Sequence, residues 1–278
     1  MIAILGGLGA AVAWATTTLC SARASRTIGA VQTLAWVMLV GLVPAGIAVL
    51  AASGSSPHGS SIGWLAAAGF GNVAGLGLVY ASVRRGKVGV VAPIASTEGA
   101  VAAVVAVALG EHLSAGVAVA LGAAVVGVVL AASARGAEER TALAAVVFAT
   151  GAALLFGLSI YATGRVSQEL SIAWALLPPR VVGVAFVTLP LVALRRLALP
   201  RGATVFVVAT GLAEVAGAAA YAVGARHGIA VAAVLASQFA ALSALGAFVF
   251  YRERLTRVQV AGIVVIACAV AALSGLRA

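Results

Sequence analysis

Long apolar runs separated by short polar punctuation dominate this chain. Marked off by charged residues and by Gly, Ser and Pro clusters, the runs fall near residues 2–22, 31–52, 62–83, 88–110 and 114–134, then near 142–164, 171–194, 202–225, 228–250 and 256–275. About 20 apolar residues suffice for a helix to cross the hydrocarbon core of a bilayer. There the backbone must satisfy its own hydrogen bonds, which leaves helices or a closed barrel. Barrel strands alternate polar and apolar over about 10 residues, and these runs do not. The pattern therefore predicts an all-α polytopic membrane protein of about ten transmembrane helices. The first run lacks a basic leader, and Ala22-Arg23-Ala24 imitates a cleavage site only weakly, so it reads as a retained first helix.

The most charged linker, Arg135 to Arg140, lies at mid-chain, and the two flanks repeat one another. Arg23-Ala24-Ser25 returns 142 residues later as Arg165-Val166-Ser167, the spacing that also separates Gly69, Val73, Ala74 and Gly75 from Gly211, Val215, Ala216 and Gly217. After the loss of one residue Tyr80, Arg85 and Ser96 meet Tyr221, Arg226 and Ser237, and the first spacing resumes where Glu111 and Leu113 meet Glu253 and Leu255. Matches at Arg, Tyr and Glu in one register mark residues 1–136 and 137–278 as two five-helix repeats. With an odd number of spans, the second repeat enters the membrane from the opposite side. Inverted repeats of this kind are the architecture of secondary transporters, with substrate bound between the halves near the midplane.

Composition agrees. Hydrophobic residues make up 63% of the chain and charged residues 9%, with mean hydropathy +1.18, against roughly 25% charged in a soluble domain. A net charge of +10 would suggest nucleic acid in a soluble protein. Here the positive residues sit in connecting loops without interleaved aromatics, so no nucleic-acid partner is expected, and loop charge orients the chain instead. Arg23, Arg26, Arg84, Arg85, Lys87, Arg135, Arg140, Arg195, Arg196, Arg201, Arg252, Arg254 and Arg257 share one side of the membrane, while Arg165, Arg226 and Arg277 lie on the other. Taken literally, this count puts both termini outside. Cys20 and Cys268 fall in apolar runs and imply neither disulfide nor metal site.

The segment Gly110-Glu111-His112-Leu113-Ser114, answered by Glu253-Arg254-Leu255-Thr256 with Gln259 and Gly262, carries a resemblance. With ten spans in a five-plus-five repeat, Trp14 in the first helix and Arg180 in the seventh, the chain resembles the EamA-like branch of the drug/metabolite transporter superfamily. The resemblance implies a secondary transporter in the cytoplasmic (inner) membrane, monomeric or homodimeric. Such a carrier exports a small metabolite or drug-like molecule by alternating access. The chain departs from the family pattern in three ways. Pro93 has Val234 as its repeat mate, so only one half is expected to keep that helix break; span 2 has no Arg matching Arg180; and the family's termini are drawn cytoplasmic, against the loop count.

Ionisable residues deep in a span are costly and mark functional candidates with partners. Glu98 in span 4, Glu214 in span 8 and Arg180 in span 7 qualify, and the register sets Glu98 opposite Phe239 and Glu214 opposite Asn72, so neither acid is duplicated. In the functional reading Glu98 or Glu214 binds a proton or a cationic group of the substrate, and Arg180 holds a carboxylate or tunes an acid. In the structural reading Arg180 and one Glu form an ion pair, or one of them snorkels to the interface. Asn72, Tyr80, Ser96, Thr97, Tyr161, Tyr221, Ser237 and Gln238 are candidate hydrogen-bonding residues, and Trp14 a candidate stacking surface. Pro178-Pro179 either kinks or interrupts span 7 just before Arg180, or begins it, leaving Arg180 near the interface. Glu111 and Glu253, at span ends beside Ser or Thr, read as helix caps or loop ion pairs.

No catalytic constellation is visible. His58, His112 and His227 fall in loops, Asp is absent, and no nucleophile–base pair or phosphate-binding glycine loop occurs. An enzyme is not expected, nor any cofactor or metal. The partners expected are the lipid bilayer, a small-molecule substrate and a proton as candidate coupling ion. A channel or a structural or regulatory membrane subunit is the alternative.

Overall fold

A computed structural model describes residues 1–52, 57–83, 94–132, 143–243, 245 and 256–276, with backbone alone at residues 22, 26, 80, 83, 131, 132, 259, 271 and 273–275. Among the described residues there are helices and turns and no strand. The helices are α1 (Ile2–Ile28), α2 (Ala30–Ala51), α3 (Ser60–Val83), α4 (Glu98–Ala108), α5 (Ala115–Ala132) and α6 (Leu143–Glu169). They are followed by α7 (Ile172–Ala193), α8 (Arg201–Ala225), α9 (Ile229–Ala236) and α10 (Arg257–Leu276). Six of them, α1, α2, α3, α6, α7 and α8, are long and apolar enough to cross a membrane, and the other four are shorter apolar helices. Each coincides with one of the ten apolar runs, with α1 and α6 extending past theirs to Ile28 and Glu169. Pro93, Arg84, Arg85, Lys87, Arg135, Arg140, Arg252, Glu253 and Arg254 lie outside the described residues.

The solvation pattern is inside-out relative to a soluble protein. Large apolar side chains cover the perimeter, with Leu50 89%, Leu143 78% and Val205 74% exposed, whereas the buried core is largely alanine. Such a surface suits hydrocarbon, and small residues at the contacts let helix backbones approach closely. At Gly6 of α1 an added Cβ would lie 2.5 Å from the Gly224 Cα of α8. Only glycine fits there.

The main packing pairs are α1 with α8, α3 with α6, α2 with α7, α4 with α9 and α5 with α10. Several individual contacts recur one register apart. Ser159 donates to the Ala68 carbonyl at 2.7 Å, and Thr17 to that of Thr210 at 3.5 Å. Gly75 accommodates the Phe156 ring, and Gly217 the Trp14 ring. Gly69 receives Val182, and Gly211 receives Val40.

Two expectations about helix breaks are corrected. Span 7 does not begin at Pro178 and is not cut there: α7 is helical from Ile172 through both prolines to Gly183, passes through one π-helical turn at Val184–Thr188, and continues to Ala193. Pro178 and Pro179 each delete one backbone donor, and the helix tolerates the loss because α2 and α3 pack along it. The irregularity falls one turn later, where Leu189 N–H reaches back to Val184 O. The second correction is that a break does not require Pro93. A turn at Ser96–Thr97 precedes α4, and the register-related turn at Ser237–Gln238 ends α9. In the second half side chains cause it: Ser237 Oγ and Gln238 Nε2 both donate to Val234 O, at 2.8 and 2.9 Å, competing with the helical ladder.

Candidate functional site

The charged centre is built where α2, α7 and α8 meet. Arg180 is 1% exposed, which removes the interfacial reading of this residue. Its Nη2 lies 3.5 Å from Glu214 Oε1, and its Nη1 donates to the Met38 thioether at 3.4 Å. Its Nε is buried without a hydrogen-bond partner. A guanidinium has five donors, and here they meet one carboxylate at the edge of hydrogen-bonding range and one weak sulfur acceptor. Arg180 is therefore neutralised yet under-satisfied, a combination that leaves room for a further acceptor. Glycines make the space: Gly41 lies against the Arg180 stem, with an added Cβ 3.1 Å from Cδ, and Gly183 lies against Met38, with an added Cβ 2.4 Å from Cγ.

Glu98 occupies the first position of α4 and is 6% exposed. It is within electrostatic range of Glu214 but has no ion-pair partner among the described residues. Its place at a helix N-terminus offsets part of that isolation, because the macrodipole favours negative charge there. Ser96 is buried in the turn before it, and Thr97 Oγ1 donates to Ile94 O at 2.7 Å. Across the α4–α9 contact Gly99 sits against Ala233 O and Ser237 Oγ, each 2.6 Å from an added Cβ. The two turns thus face one another where the helices cross.

An aromatic wall stands beside this centre. Trp14 is tilted against Tyr221 with ring centroids 6.2 Å apart and meets Phe239 edge-on at 6.4 Å; its Nε1 is buried without a partner. Tyr221 OH donates to Ile160 O at 2.8 Å. Tyr161 packs edge-on against Trp64 at 5.5 Å. Asn72 Oδ1 and Gln238 Oε1 are two further buried acceptors without partners. Tyr80 lies in α3, with its side chain outside the description.

The structure thus joins Arg180 to Glu214, sets Glu98 within range of Glu214, and groups Trp14 with Tyr221. Ser237 and the Tyr221 hydroxyl are bonded to backbone, and Tyr161 packs beside Trp64 in the same core cluster as Tyr221. Sequence reasoning missed Met38, although the register could have found it, since Met38 and Arg180 are repeat mates 142 residues apart that touch. It also placed Glu111 locally. In fact the carboxylate accepts N–H groups from Ile229 and Ala230 in the opposite half, at 3.1 Å each, while Ser114 accepts the Val117 N–H at its own helix, at 3.4 Å.

These features define a multi-pass helical membrane protein with a buried, partly unsatisfied polar centre. The chain superposes on a solved crystal structure with a TM-score of 0.79, covering 99% of this chain and 96% of the other at 18% identity, which establishes a shared fold. No curated protein sequence matches the chain. Residues 1–133 match the model of the EamA-like transporter family, part of the drug/metabolite transporter superfamily, so the resemblance holds through the first five helices. The first 133 residues are thus similar to a family of membrane transporters of the drug/metabolite type.

Proposed function

We propose that the protein is a secondary carrier that exports a small polar metabolite or drug-like molecule by alternating access, with residues 1–136 and 137–278 as inverted repeats. The observation that carries this reading is the under-satisfied Arg180 between Glu214 and Met38. A buried cation left with spare donors at a helix crossing is what a transient acceptor on a cargo requires, whereas a purely structural ion pair would be closed by its own residues. The recurrence of Ser159–Ala68 as Thr17–Thr210, and of Gly75–Phe156 as Gly217–Trp14, supports the duplicated arrangement. Glu98, without a cationic partner among the described residues, is the candidate proton or amine site, and Trp14 the candidate stacking surface.

Counterflow in proteoliposomes tests it. Wild type preloaded with one member of an amino-acid, nucleoside and cationic-drug panel is expected to accumulate the labelled compound with saturation. Glu98→Gln and Glu214→Gln are expected to lose at least nine-tenths of that rate. Flux that does not saturate points to a channel, and no flux with any member removes the carrier reading. An imposed pH gradient that leaves uptake unchanged removes the proton from it.

A further inference from the structure

We infer that Glu111 is the latch that holds the N-terminal face of the carrier shut, an inference that rests on the alternating-access reading. At this end of the molecule stand the start of α1, the α4–α5 turn, the α6–α7 turn and the α8–α9 turn. Their contacts bring them together: an added Cβ at Gly224 would lie 3.2 Å from Ala3 O, and Gln168 Nε2 donates to Ala225 O at 3.1 Å. The centre of this end is α9, of which every residue from Ile229 to Ala236 is 3% exposed or less. It is a plug packed against α1, α4 and α8.

A plug in this position has an electrostatic difficulty. The first N–H groups of a helix have no partner within it, and the residue before α9 is Gly228, at φ 143, with no side chain to cap them. Glu111 resolves this from the other half of the chain, with Oε2 3.1 Å from both Ile229 N and Ala230 N. Charge, helix dipole and two hydrogen bonds act together there.

Further side-chain ties near this face lie within the second half. Arg226 bonds the carbonyls of Ser167 and Leu170, the second at 2.8 Å, and Gln168 bonds Ala225. These groups travel together when the halves separate. The Glu111 carboxylate joins the two halves by side-chain hydrogen bonds at this face, and such a separation must break them. It closes the face while the second-half ties keep that half intact.

Two measurements test the latch without any cargo, so they stand or fall separately from the counterflow result. In a background carrying Cys20→Ser and Cys268→Ser, Ala230→Cys places a thiol on the plug, and its labelling by a membrane-impermeant maleimide is followed in nanodiscs. Glu111→Ala is expected to speed labelling about tenfold, the size of a lost charged cap, with Glu111→Gln between. Equal labelling in all three overturns the proposal. Hydrogen exchange read on Glu111→Gln alone covers the case in which Glu111→Ala does not fold. Faster exchange running along Ile229–Ala236 and into the first turns of α1 supports a latch, whereas an increase confined to Ile229 and Ala230 reveals a static cap and overturns it.

Discussion

Replacing Glu214 with glutamine strands the Arg180 charge in the interior while leaving side-chain shape almost unchanged. At 3.5 Å the pair attracts by about 5 kcal/mol at an effective dielectric of about 20. Side-chain exposures of 2% and 17% leave little solvent screening. Desolvation has already been spent in the native state, so breaking such a pair from one side costs about 3–5 kcal/mol. The long N···O distance argues for the lower end, near 3 kcal/mol. With about 2–4 °C per kcal/mol in a chain of this size, Glu214→Gln is expected to melt roughly 6–12 °C below wild type in detergent. Arg180→Met combined with Glu214→Gln removes both charges and places a thioether beside Met38. It should recover to within about 3 °C of wild type, because replacing a buried pair as a unit is close to neutral. Melting followed by size-exclusion chromatography reads both variants. A double variant less stable than Glu214→Gln alone, or a single variant within 2 °C of wild type, would refute the reasoning.

Other expectations follow from particular contacts. Gly183→Ala sets a methyl 2.4 Å from Met38 Cγ and should destabilise by about 1–3 kcal/mol, partly relieved by adding Met38→Ala, whereas Gly46→Ala, with open space around it, should melt like wild type. Gln32 Oε1 accepts the Ala198 N–H at 3.3 Å and Trp36 Nε1 donates to Ala198 O at 3.0 Å, so Gln32→Ala should free the loop between α7 and α8. Limited trypsin digestion after Arg195 or Arg196 should then run about fivefold faster, as expected for a net loss of about 1 kcal/mol when the Gln32 side chain gives up its bonds to Arg196 O and Ala198 N. Trp14→Phe removes a buried, unpartnered N–H and should preserve the ring contacts with Tyr221 and Phe239. It is expected to leave stability within about 1 kcal/mol of wild type while reducing any cargo-dependent change in tryptophan emission to what Trp36, Trp64 and Trp174 contribute.

The helices were legible because length and hydropathy are properties of contiguous sequence, and every described helix coincides with one apolar run, though α1 and α6 continue past theirs. Arg180, Glu98 and Glu214 were legible for a related reason: a charge deep in a span has few bland explanations. Which acid pairs with Arg180 was not legible, since the answer depends on the rotation of α7 against α8, and Ala-rich, Gly-rich surfaces permit many rotations. The turn at Ser237–Gln238 escaped notice because attention goes to proline, whereas here two polar side chains compete for one carbonyl. Glu111 was legible as a cap but not as a cap on a helix 118 residues away. Local sequence cannot tell an acid that caps its own helix from one that caps another.

The contact between Met38 and Arg180 carries a historical consequence. In a homodimer assembled from one such unit, the positions now held by this pair would be a single position meeting its own copy. An arginine placed there would bring two guanidinium groups together in an apolar interior, and a methionine would leave no charge at all. On the proposed inverted-repeat arrangement, two halves of different sequence release that constraint: one can carry the cation while the other supplies a soft neighbour, and Gly41 and Gly183 make space on either side. The polar centre is thus a property that two non-identical halves can hold and a symmetric homodimer cannot.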